Sequence, residues 1–184
     1  MRLYFLKLKD KPLYFAAKMT RALTADIEYF LHPAKHRKEY CNFDLQKHLS
    51  GAKGPLDHSD PAFSRALSQL GHIAAYLDKI RFDARGGSAQ SDEYIRHAFF
   101  QLQEALELIY RDLTALRKKP ASGEIKLIAA GARKNLYQAR RQAAQDDASF
   151  IGNLKFDSIC ISLDKCFDSV EKYFDELAGI RNKK

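Results

Sequence analysis

Residues 91–116, SDEYIRHAFFQLQEALELIYRDLTAL, carry the rhythm that decides the kind of fold. Ile95, Phe99, Leu102, Leu106, Ile109, Leu113 and Leu116 follow one another at alternating steps of four and three. On a helix, residues so spaced form one continuous apolar stripe. A stripe of that length leaves water only by packing against other helices of similar length, so the segment requires neighbours of its own kind. Its ends agree. Ser91 is placed as an N-cap, with Asp92 and Glu93 where the helix dipole favours negative charge. Arg117, Lys118 and Lys119 supply cations at the opposite end, and Pro120 prevents continuation.

The flanking segments repeat the pattern. Upstream, Ser59, Asp60 and Pro61 open a helix whose Phe63, Ala66, Leu67, Leu70, Ile73, Ala74, Leu77 and Ile80 make a stripe wide enough for two neighbours, with Gly86 and Gly87 as its stop. Downstream, a helix from Ser122 presents Ile125, Ile128, Ala129, Ala132, Leu136, Ala139 and Ala143, a narrow alanine-rich face that permits close approach. Asp146, Asp147 and Ser149 offer a cap for a further helix, in which Phe156, Cys160, Leu163, Phe167, Val170, Phe174 and Leu177 again step by four and three. Gly152 and Asn153 predict a kink or break, although with no proline there the helices on either side could also be continuous. At the other extreme, Asp10 and Pro12 begin a first helix with Leu13, Ala16, Thr20, Leu23, Ile27 and Phe30 on one stripe, ended by His32 and Pro33.

Two segments depart from this rhythm. Residues 33–58, with Gly51, Gly54 and Pro55, form a connection longer than a bundle ordinarily needs, and it releases the first two helices from being antiparallel neighbours. Residues 1–11 interleave Leu3, Phe5, Leu6 and Leu8 with Arg2, Lys7 and Lys9. An arm packed on the bundle is the expectation there, ahead of peripheral contact with a lipid surface. The predicted fold is all-α: a mostly antiparallel bundle of four to five long helices in a single domain over residues 1–184, with one long connection after the first helix.

Composition sets the class. Apolar residues at 46% and charged residues at 29% exclude general disorder. No apolar run approaches the roughly 20 residues that span a bilayer, and the N-terminal sequence lacks a signal-peptide pattern, so a cytoplasmic location is expected. Cys41, Cys160 and Cys166 are odd in number and form no CxxC pair, as expected of reduced structural thiols. The net charge of +8 is unevenly spread: residues 117–145 hold eight cations against Glu124 alone, whereas residues 91–116 hold two cations against five anions.

That basic segment is the strongest candidate site. Lys126, Arg133, Tyr137 and Arg140 are neighbours on one helical face, Lys134 and Arg141 lie beside them, and Arg117, Lys118 and Lys119 lie just upstream. Arginine forks bind phosphate oxygens, and a tyrosine among them can stack on a base, so such a strip could track a nucleic-acid backbone without reading its sequence. The competing reading pairs these cations with the acidic segments at 91–116 and 146–177.

Other chemistry is less well supported. His32, His36, Cys41, His48 and His58 are dense enough to suggest zinc, but their spacing fits no metal signature, and no metal is expected. His72 and His97 fall near apolar faces and could oppose Glu104, Glu107 or Asp112, although surface carboxylates with core or boundary histidines are the plainer expectation. With no phosphate-binding glycine loop and no nucleophile motif, neither an enzyme nor a cofactor is expected. Adjacent apolar pairs at Phe30 and Leu31, Phe99 and Phe100, and Tyr173 and Phe174 put apolar surface on more than one face of their helices. The leading expectation is therefore a non-enzymatic interaction module, a scaffold or accessory subunit acting through helical faces on a protein partner or on copies of itself. The second is a sequence-independent nucleic-acid-binding accessory protein that uses residues 117–141.

Overall fold

Each apolar stripe becomes one helix. The computed structural model describes residues 11–31, 61–84, 92–115, 122–144 and 150–182, and there the chain forms α1 (Lys11–Leu31), α2 (Pro61–Asp83), α3 (Glu93–Ala115), α4 (Ser122–Ala143) and α5 (Phe150–Asn182). No strand occurs among the described residues. The N-cap of α3 is Asp92, one residue later than Ser91: its Oδ1 accepts the Ile95 backbone N–H at 2.8 Å, and its carbonyl accepts the Arg96 N–H at 3.0 Å. A carboxylate there satisfies an orphan donor and meets the positive end of the helix dipole at once.

Gly152 and Asn153 do not interrupt α5, which runs unbroken through them. They fall in its first turn, where backbone N–H groups lack intrahelical partners anyway, so weak helix formers cost little. The caps expected at Asp10, Asp146, Asp147 and Ser149, the stop at Gly86 and Gly87, the arm at residues 1–10 and the whole 33–58 connection lie outside the described residues.

Side-chain pairs across the helices give their directions. Arg65, Ile73 and Asp83 of α2 meet Glu176, Cys166 and Ser158 of α5 in that order, so these two helices are antiparallel. Arg133 meets Asp164, Asp168 and Glu171 while Arg140 meets Asp157, so α4 also opposes α5. α1 runs beside α2 in the same direction. Thr20 meets Tyr173, at the end of α5 that faces the first turns of α2, and Asp26 meets Arg81 in the last turn of α2. Parallel neighbours need a connection that returns along the bundle, and the length of residues 32–60 permits it. Around the molecule the contacts run α1, α3, α4, α5, α2 and back to α1, with α3 and α5 also touching through the centre.

One continuous core fills this ring. Leu23, Leu70, Phe99, Leu102, Leu136, Leu163, Phe167 and Val170 are all buried in it. The α2–α5 pairing is the most extensive, and small residues explain it: Ala62, Ala66 and Ala74 on α2 and Ser162, Cys166 and Ser169 on α5 are buried and bring the two axes close. Tyr173 ties α5 to α1. Its hydroxyl is hydrogen-bonded to Thr20 Oγ1 at 2.8 Å, and the Ala16 carbonyl lies within reach of both hydroxyls, 2.8 Å from Thr20 and 3.3 Å from Tyr173. Burial pushes the phenol above its ordinary range, with the Thr20 bond opposing. Cys166 is raised by burial in the same way, and the buried Cys160 thiol is pushed up to about 12, so both are inert structural thiols. No helix among the described residues is long and apolar enough to cross a membrane.

Candidate interaction face on helix α4

α4 is built from a run without carboxylates. Between Glu124 and Asp146 the chain has no Asp or Glu, so any counter-charge for its cations comes from another helix. Its buried side is thin, with Ala129, Ala132 and Ala139 fully buried beside Ile125 and Leu136. Toward α3, Gly131 leaves room for Gln101, whose Nε2 stands 2.8 Å from where a Cβ would sit, and Gln101 Oε1 accepts from Asn135 Nδ2 at 2.8 Å. A narrow helix seated this closely exposes much of its circumference.

The basic segment then divides. Arg133 turns toward α5: its Nε donates to Asp164 at 3.1 Å, and one terminal nitrogen donates to both Asp168 and Glu171 at 2.8 Å. The Glu171 hydrogen bond leads the effects that push the guanidinium further above its already high range, against partial burial. Arg140 follows the same edge one heptad later, paired with Asp157 at 2.8 Å and adjoining the Cys160 thiol. These two arginines are engaged in the bundle itself. Lys126, Lys134 and Arg141 are exposed and have no ion pair among the described residues. Arg117, Lys118 and Lys119 lie outside the described residues.

What the fold places together on the outer face was not grouped by the sequence reading. Leu127, Ala130, Lys134, Tyr137 and Arg141 are all exposed, at steps of three, four, three and four. This is a second heptad stripe, on the side of α4 away from the core. Leu127 is 75% exposed and Tyr137 64%, as open as Phe82 on α2 and Ile151 on α5. Lys126 borders the stripe. The spacing was legible in the chain, but Leu127 and Tyr137 look like strays until the core face of α4 is known.

The remaining candidates disperse. His72 and His97 are exposed, and His97 lies 3.7 Å from Glu93 on its own helix. Glu104 is exposed, whereas Asp112, expected at the surface, is buried, because it continues the Ala98–Ala105 row at heptad spacing. Arg65 and His72 share an edge of α2 two turns apart, with Arg65 engaged by Glu176 at 2.7 Å. No group of metal-ligating side chains is assembled among the described residues, and the His32–His58 cluster falls outside them. Compared with known proteins, the chain matches no family model, no curated protein and no solved structure.

Proposed function

We propose that the protein is a non-enzymatic interaction module that works by offering the outer face of α4 to a protein partner. The observation that carries this reading is the exposed heptad stripe of Leu127, Ala130, Lys134, Tyr137 and Arg141, set on a helix whose opposite side is already anchored in the core. A stripe at this spacing is the docking pattern of helix against helix. Exposed aromatic and aliphatic anchors near its centre are the residue types that dominate interface energies.

A nucleic-acid backbone is the second reading, favoured by the exposed cations Lys126, Lys134 and Arg141 around Tyr137. It is the weaker one. Arg133 and Arg140, the forks best suited to phosphate, already hold carboxylates of α5, and Leu127 has nothing to offer a phosphate.

A pull-down with the whole protein and with a Leu127→Ser/Tyr137→Ser variant tests the first reading. A partner retained in fixed stoichiometry by the wild type and lost by the variant supports it. Equal retention by both, or a chain that light scattering finds as a 21.0 kDa monomer with no partner, refutes it.

A further inference from the structure

The charge of the α4 face limits what can cover it. From Lys126 to Arg141 the exposed residues include four cations and no anion; of these Arg140 is paired with Asp157 of α5, whereas Lys126, Lys134 and Arg141 have no ion pair among the described residues, and the one carboxylate of α4 itself, Glu124, lies before this span in the first turn. A two-fold contact between copies sets a patch against itself. Here that would bring Lys126, Lys134 and Arg141 against the same three cations, so a second copy through this face is disfavoured by like-charge contact. The apolar part excludes a purely ionic ligand as well. Leu127, Ala130 and Tyr137 share the heptad stripe with Lys134 and Arg141, and the cations Lys126, Lys134 and Arg141 recur at intervals of eight and seven residues, about one for every two turns. A phosphate chain presents charge far more densely than that, and it presents no apolar stripe.

Resting on the interaction-module reading, we propose that the outer face of α4 receives an acidic amphipathic helix of a partner protein. Its apolar side chains pack on Leu127, Ala130 and Tyr137, and its carboxylates, recurring about once per heptad, meet Lys134 and Arg141 within the stripe and Lys126 at its border. The apolar side chains supply the contact area, and the charges set orientation and exclude basic helices. Leu127 to Arg141 is two heptads, about 21 Å of helix, a length suited to a short helical segment of the partner.

Three labelled synthetic helices with the same leucine heptad row and flanks of Glu, Gln or Lys, together with a labelled DNA duplex, provide the test. Binding to the full chain is read by fluorescence anisotropy at low and moderate salt. The Glu helix is expected to bind about tenfold or more tighter than the Gln helix, with salt weakening it, and the Lys helix to bind least. Lys134→Glu with Arg141→Glu should reverse the order of the Glu and Lys helices, a gain that misfolding cannot produce. Leu127→Ser with Tyr137→Ser should weaken all three. Equal binding of the Glu and Gln helices, unaffected by the charge reversal, overturns the acidic partner but leaves docking on α4 intact. Binding of the duplex alone, abolished by the charge reversal, overturns both. Binding of none overturns the acidic helix, and the pull-down then decides the broader reading by itself.

Discussion

The two long edges of α4 carry the same chemistry to different ends. Arg133 and Arg141 lie eight residues apart, yet Arg133 is held by three carboxylates of α5 and Arg141 faces solvent. Leu136 and Leu127 differ in the same way: one is in the core and the other is among the most exposed apolar side chains described. A residue's contribution here is set by its angle around one cylinder. The inward edge packs into the bundle and pairs with α5, and the outward edge is left exposed to solvent.

The leucine pair gives the sharpest way to break this comparison. Leu136→Ala should cost about 2–4 kcal/mol in chemical denaturation, from lost transfer energy plus a cavity. Leu127→Ala should change stability by less than about 0.5 kcal/mol. Similar losses at the two positions would mean that the outer face is covered by the chain itself.

Alkali should unsettle the inner side next. Tyr173, Cys160 and Cys166 have raised values in the folded chain, so the unfolded chain loses these protons first. Their stabilisation is complete below the ordinary thiol and phenol values of about 8.5–10, and it is lost as pH rises from there through the folded values. Each group should contribute a slope of up to roughly 1.4 kcal/mol per pH unit in that window. Tyr173→Phe should flatten the decline in denaturation curves measured from pH 8 upward, and an unchanged slope would contradict the burial of that phenol.

Arg133→Ala comes third. It leaves Asp164, Asp168 and Glu171 facing one another without their shared cation, and a loss of about 1 kcal/mol is expected after allowing for their partial exposure to solvent. Added salt should narrow the gap from wild type. The smallest effect belongs to Lys134→Ala with Arg141→Ala, where the melting midpoint should be unchanged within about 0.5 kcal/mol while partner binding falls. A clear loss of stability in that double variant would show that these cations are engaged within the bundle after all.

The fold was largely legible because apolar spacing records which side of a helix is buried, and the stripes of α2, α3 and α5 continue for many turns. The details that escaped are those where a side chain answers to a neighbour. Asp92 in place of Ser91 as the cap of α3 depends on local hydrogen-bond geometry, and the continuity of α5 through Gly152 and Asn153 depends on where the first turn falls. Asp112 sits in a buried row that contains only alanines above it, too weak a signal to read as a core face. The basic residues singled out in the sequence fall on two different edges of α4. Lys126, Arg133, Tyr137 and Arg140 are close in helical angle, and spacing cannot tell which of them a neighbouring helix will claim.

Sequence by itself determined the helices, their approximate ends, the absence of carboxylates between Glu124 and Asp146, and the existence of apolar residues left over from each core stripe. Tertiary structure alone decided that α1 and α2 run parallel, that α5 spends its acids on Arg133 and Arg140, and that Leu127, Lys134, Tyr137 and Arg141 are turned together toward solvent. Periodicity along a chain fixes angles within one helix. Which angle meets water is fixed only when other helices have taken their places around it.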